Sequence, residues 1–270
     1  MRLQRLALLL VLILAPSLAS AELTMFWRAE GTTLDEAGNN DYALGDATAT
    51  AQATPAINTT AAKIGTNGIH VNASGEYYWF TLAEDFVGLN GGAVGFWIKW
   101  VSFDTAGNTW FSFRGDTFNN RIRGYGHTTD ELRMQTQNAT PASSDHDTTD
   151  VNIATGNWYF VCHAWSDSAN TRKLYVWDSA GAAVGSSPFI DTSTNYNGPA
   201  ELTGASAQMQ FGEASNTGGT IEYYLDNIFV GNSADDCPTF HTNRDITAYS
   251  SYSAGGGGAE TFGFRLRLQQ

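Results

Sequence analysis

Ala93-Val94-Gly95-Phe96-Trp97-Ile98-Lys99-Trp100 is the stretch on which the reading of the fold turns. Phe96, Ile98 and Trp100 recur at period two on one face and Lys99 points away, the alternation of a half-buried strand rather than a helix. Lys173-Leu174-Tyr175-Val176-Trp177 alternates in the same way, with Leu174 and Val176 opposite Lys173, Tyr175 and Trp177. Runs of the same kind recur at Thr24–Arg28, Gly68–Val71, Tyr77–Thr81, Thr109–Arg114, Asn157–Trp165, Gln208–Gly212 and Ile221–Val230. Gly, Asn, Asp, Ser and Thr separate them, and helical periodicity is nearly absent after residue 21. Nine or more such strands, each with one apolar and one mixed face, predict an all-β, two-sheet antiparallel jelly-roll sandwich. Ala43–Thr60 and Asn138–Asp150 read as long polar surface loops, and Gly255–Gly258 as a flexible tether.

Ahead of the strands stands Met1-Arg2-Leu3-Gln4-Arg5, then an apolar run from Leu6 to Ala15, then an Ala19-Ser20-Ala21 ending. These are the parts of a secretory signal peptide over residues 1–21, and the run is too short to span a bilayer. The expected location is secreted, periplasmic or cell-surface. Removing this leader removes two arginines and no acid, which takes the formal charge from −13 to −15. So acidic a chain repels phosphate backbones and anionic lipid, so nucleic acid is excluded as a partner, and no later segment is apolar enough for a membrane span. Residues 22–252 make one large domain, and 253–270 a tether and tail. Two cysteines occur, Cys162 and Cys237. Either they are bridged, as an oxidising compartment permits, or Cys162 is a buried free thiol in its apolar run.

With the strands placed, three patterns resemble the laminin G-like branch of the concanavalin A-like lectin/glucanase superfamily. They are Gly95–Trp100, Thr155-Gly156-Asn157-Trp158-Tyr159-Phe160-Val161 followed by Lys173–Asp178, and Tyr223-Tyr224-Leu225-Asp226-Asn227-Ile228-Phe229-Val230. The resemblance implies a concanavalin A-like jelly roll over 22–252. It also bears on Asp226, a carboxylate inside an apolar strand that needs either backbone N–H donors or a cation. Members of the superfamily often hold one structural Ca²⁺, and the matching positions are Glu30, the turn carrying Asn67 and Gly68, and Asp226.

No catalytic residue is assigned. Glycosidases of this fold carry a Glu-x-Asp-x-x-Glu strand, which is missing; Glu222 and Asp226 share a face with Tyr224 between them, but a third acid is lacking. Arg121, Arg123, Tyr125 and His127 alternate on one strand face and are the candidate ligand-binding group. Such a face grips an acidic polysaccharide, deprotonates one through Tyr125 or His127, or pairs with the protein's own acids. Tyr125, Tyr196 and Tyr249 are candidates to stack on sugar rings. The tail Phe262-Gly263-Phe264-Arg265-Leu266-Arg267-Leu268 is a strict amphipathic strand, able to close the protein's own sheet or to mediate self-assembly through residues 260–270. The expected function is therefore a binding module for a glycan or a protein partner. A polysaccharide lyase or glycoside hydrolase on the same scaffold, and an adhesive or assembly subunit, are the alternatives.

Overall fold

The computed structural model describes residues 23–30, 42–43, 49–81, 91–102, 108–115, 121–128, 131–137, 143–147, 151–166, 169–192, 207–212, 222–247 and 253, with the backbone alone at 42–43, 108, 127–128 and 143–147. The expected leader, Tyr196, Tyr249 and the tail 260–270 lie outside the described residues.

The strands are β1 Leu23–Trp27, β2 Tyr42–Ala43, β3 Thr50–Gln52, β4 Ala56–Asn58, β5 Gly68–Val71, β6 Tyr77–Thr81, β7 Gly91–Ser102 and β8 Asn108–Arg114. They continue with β9 Arg121–Thr128, β10 Glu131–Gln137, β11 Ser143–Asp147, β12 Trp158–Ser166, β13 Thr171–Asp178, β14 Phe189–Asp191, β15 Gln208–Gly212 and β16 Glu222–Gly231. Among the described residues one α-helix, α1, spans Cys237–Asn243. Sheet A runs β14-β13-β12-β7-β16-β1-β2, with β5 also on β16 and β4 on β5; sheet B runs β11-β10-β9-β8-β15-β6-β3. Every named pairing is antiparallel, so the fold is the expected all-β sandwich.

Between the sheets lies the main core. Phe96, Ile98 and Trp100 of β7 meet Trp110, Phe111 and Phe113 of β8 and Met209 and Phe211 of β15, all fully buried. His163 sits in this layer among aromatics, and its Nε2 accepts a hydrogen bond from the Trp110 indole at 3.2 Å. The outward side of sheet A holds a second core that period two alone does not announce. Trp97, Phe160, Phe229 and Cys162 point away from sheet B, and α1 covers them with Cys237 and Phe240. The Trp97 indole donates to the Arg244 carbonyl at 3.0 Å, tying the chain after α1 to the middle of the sheet. Cys162 and Cys237 form a disulfide across a separation of 75 residues. The bridge thus fastens α1 to β12.

His241 of α1 lies flat on Trp177, with ring centroids 4.1 Å apart. Burial pulls its imidazole down from 6.5 to about 4; Arg244 pushes the same way and Asp245 opposes. Because the folded value lies below the unfolded one, the unfolded chain takes up the proton first. The contribution of neutral His241 is therefore fully present above pH 6.5 and is lost as pH falls toward 4. His241→Phe keeps the stack without the titration. The wild-type Tm should accordingly fall relative to this variant between pH 6.5 and 4 and track it above. A difference independent of pH contradicts that origin.

The structure corrects three expectations. Ala43–Thr60 carries β3, β4 and a 3₁₀ turn at Thr59–Ala61, rather than a plain loop. The acidic stretch Asn138–Asp150 contains β11, an edge strand held through its backbone register with β10. Tyr125, expected among the exposed aromatics, is buried.

Candidate functional site

On sheet B, core-facing residues such as Ile122, Leu132, Met134, Phe113 and Met209 alternate with polar ones directed away from the core. Cross-strand register lines the polar ones up. One row runs Thr50, Trp79, Gln210, Ser112, Arg123 and Gln135 across β3, β6, β15, β8, β9 and β10. The next runs Thr81, Gln208, Arg114, Arg121 and Gln137. Tyr125 and Arg133 begin a third.

Neighbours within these rows hold one another in place. Gln208 Oε1 accepts from Arg114 Nη2 at 2.6 Å and from Gln210 Nε2 at 2.8 Å. Arg133 donates to Glu131 Oε1 through Nη2 at 2.6 Å and Nε at 3.0 Å. The Arg123 guanidinium lies 4.6 Å from the centre of the Tyr125 ring and Arg133 5.8 Å from it. Although they face outward, Gln210 is only 2% exposed and Gln135 5%, so the floor of this face is fixed rather than waving in solvent. The Gln137 amide oxygen is buried with no hydrogen-bond partner among the described residues. Guanidinium and amide groups set in rows, with an aromatic ring among them, suit a ligand rich in oxygen acceptors.

Three of the four residues read as a ligand group are placed here by their side chains: Arg121, Arg123 and Tyr125. The backbone puts His127 two positions further along the same strand; its side chain lies outside the described residues. Trp79, Ser112, Gln135, Gln137, Gln208 and Gln210 were missed. The pairs Gln208-x-Gln210 and Gln135-x-Gln137 were the available signal, since period two sets each pair on one face.

Glu30, Asn67, Gly68 and Asp226 also meet, on sheet A. The first half of β16 pairs with β5 and the second half with β1; Asp226 stands at the change of partner, beside a bulge with Asn227 at φ +42°. The turn before β5 folds over this point. Asp226 is fully buried, and its Oδ2 accepts from the backbone N–H of Lys63 and Ile64 at 2.7 Å each, while Oδ1 accepts from Asn227 N–H at 2.7 Å. Glu30 takes the N–H of Thr66 at 2.9 Å and of Asn67 at 3.1 Å on Oε2. Asn67 Nδ2 donates to the Glu30 carbonyl at 2.6 Å. Gly65, at φ +72°, leaves no room for a Cβ beside Glu30, and a Cβ on Gly68 would lie 2.1 Å from the Ala61 carbonyl oxygen. Burial pushes the Asp226 carboxyl up to about 7, the N–H bonds pull the other way, and the Glu30 charge adds to the rise. Calcium requires six or more oxygens. What meets these two carboxylates is four backbone N–H groups of the turn and a fifth from Asn227 of β16, a donor set that does not fit a hard cation. Among the described residues there is no cluster of three or more His, Cys, Asp or Glu placed for a metal.

No protein-family model matches the chain, and no curated protein matches it in sequence. Solved structures do match in shape. The binding domain of botulinum neurotoxin serotype D superposes with a TM-score of 0.57 at 14% identity, over 83% of this chain and 52% of that one. The binding domain of Paraclostridial Mosquitocidal Protein 1 gives 0.58 at 12% identity, over 82% and 51%. This chain has the sandwich fold found in those binding domains. At such identities the likeness is one of fold, and the chain spans about half the length of the structures it matches. A third, the binding domain of botulinum neurotoxin DC, was solved in complex with SialylT and matches at 0.55 and 13% identity, over 83% and 50%.

Proposed function

We propose that the protein is an exported, laminin G-like glycan-binding module whose ligand lies across the outward face of sheet B. The observation that carries this reading is the two ordered rows of arginine, glutamine and serine across β15, β8, β9 and β10, with Tyr125 between two guanidiniums. Sugar hydroxyls and carboxylates accept from such donors, and burial of the floor means that little side-chain freedom is lost on binding. The neurotoxin structure in complex with SialylT supports it by example, as a sandwich-bearing binding domain with a glycan-related ligand.

Hydrolysis needs two carboxyl groups about 5–10 Å apart across the bond. Among the described side chains of this face the carboxylate is Glu131, already engaged by Arg133. The Glu-x-Asp-x-x-Glu strand carried by glycosidases of this fold is also missing from the sequence, and on that pattern binding is read ahead of glycosidase chemistry. The two cations over Tyr125 favour a lyase as the second reading, with that phenol abstracting a proton.

A glycan array read with the wild type and with Arg121→Ala/Arg123→Ala tests this. Acidic glycans should give the strongest signals, and the double variant should lose them by more than about 100-fold, at about 1.5–3 kcal/mol for each charge-assisted contact removed. Equal binding by the two proteins rejects the site. A rise in ultraviolet absorbance when the wild type is mixed with a uronate polymer transfers the reading to the lyase.

A further inference from the structure

The outward face of sheet A is covered by α1 over Trp97, Phe160 and Phe229, and beyond this cover Trp158, Lys99 and His70 are half-buried. There, register sets Trp158 of β12, Lys99 of β7, Tyr224 of β16 and His70 of β5 side by side in one row across four strands. Lys99 Nζ lies 5.1 Å from the Trp158 ring centre and 4.4 Å from that of Tyr224. The His70 ring lies 4.7 Å from Tyr224. Val101, two residues beyond Lys99, is 40% exposed.

Glu222 is held rather than loose. Its Oε1 faces His70 Nε2 at 3.0 Å and accepts from the Tyr224 hydroxyl at 3.2 Å. Asn58 Nδ2 lies 3.5 Å from His70 Nδ1, which makes Nδ1 the acceptor and leaves Nε2–H to donate to Glu222. Both donors converge on Oε1, so Oε2 remains to accept from outside, and the Glu222 side chain is 37% exposed. Lys99 forms no ion pair among the described residues; it rests on two aromatic faces with its three N–H donors available. A positioned donor and a positioned acceptor thus stand on either side of Tyr224, with Trp158 next to Lys99 in the row and Val101 two residues along β7.

We infer that this end of sheet A is a second ligand subsite, one that takes a neutral pyranose ring through a pair of its hydroxyls. One hydroxyl accepts from Lys99 and its neighbour donates to Glu222, while the C–H face of the ring lies on Trp158. One cation and one anion leave the subsite without net charge, so a neutral sugar is held without repulsion; an acidic one places its carboxylate against Glu222. This chemistry differs from the arginine-rich face of sheet B and does not rest on it. The sequence alternation joins Glu222 and Tyr224 on one face, but Lys99, Trp158 and His70 come from three other strands and meet them only through register.

The test is by nuclear magnetic resonance on protein carrying ¹⁵N in its tryptophan side chains, titrated with the methyl glycosides of glucose, mannose, galactose and N-acetylglucosamine, and with methyl glucuronide. The Trp158 indole signal is identified by its loss in Trp158→Phe. At least one neutral glycoside should shift that signal saturably, with a millimolar dissociation constant, as expected for a single small ring. Methyl glucuronide should bind about tenfold more weakly, and Glu222→Gln should weaken the neutral sugar about tenfold while leaving Tm unchanged. Arg121→Ala/Arg123→Ala should leave this binding intact, which separates it from the sheet B reading. If no neutral glycoside moves Trp158, if Glu222→Gln binds as well as wild type, or if the sheet B variant abolishes the shift, the subsite is refuted.

Discussion

Asp226→Ala should destabilise the protein by about 3–5 kcal/mol, because the substitution strands buried donors rather than merely deleting a contact. The N–H groups of Lys63, Ile64 and Asn227 all end on this carboxylate at 2.7 Å, and the residue is fully buried where β16 changes partner. The turn over it closes on this carboxylate and on Glu30, with Lys63 over Trp97 and Ile64 against the second core, so its docking and the start of β5 should loosen together. For a domain of this size the loss corresponds to a fall in Tm of about 10 °C. Asp226→Asn should fall between the two, since one oxygen survives but an NH₂ now meets N–H donors. Chelator should leave the wild-type Tm unchanged, because the carboxylates are satisfied by hydrogen bonds. A Tm lowered by chelator and restored by calcium would show instead that Glu30 and Asp226 share a cation.

The second large effect concerns the bridge between Cys162 and Cys237. Its closed loop of about 75 residues should contribute about 4 kcal/mol through the unfolded state. A helix of seven residues has little stability of its own in water, so α1 keeps its place through this bond and the packing of Phe240 on sheet A. Cys162→Ser/Cys237→Ser should therefore lower Tm by about 10 °C. It should also speed hydrogen exchange in 237–246 ahead of β7 and β12, because Trp97 and Phe160 lose their cover. Equal melting of reduced and oxidised protein would mean that α1 is held by packing alone.

The strands that the sequence revealed lie mostly inside a sheet, although β10, flanked by β9 and β11, was not among them. β7, β12, β13 and β16 must present an apolar side to the main core, so Phe96, Ile98, Leu174, Val176 and Leu225 recur at period two. β11 escaped because Ser143-Ser144-Asp145-His146-Asp147 contains no apolar residue; it is an edge strand joined by its backbone to β10. α1 escaped because its seven residues bury only Cys237, Phe240 and Asn243, too few for a helical period. The same contrast holds for the sites. Asp226 is conspicuous as an acid in an apolar run, and the resemblance brought Glu30 and Asn67 to it. What satisfies it, the N–H groups of Lys63 and Ile64, is backbone and leaves no mark in side-chain chemistry. Arg121, Arg123 and Tyr125 are legible as one strand's alternation. Their partners Gln210, Ser112 and Gln135 depend on the register between strands up to 98 residues apart in the chain, as between Ser112 and Gln210, which local pattern does not encode.

The central claim is that the ligand lies on the outward face of sheet B. Hydrogen–deuterium exchange of the protein with and without the acidic glycan that gives the strongest array signal tests it most directly. The account predicts slowed exchange within β8, β9, β10 and β15 and no change in β1 or β5. Protection confined to sheet A, with β9 and β10 exchanging as in the free protein, would contradict it.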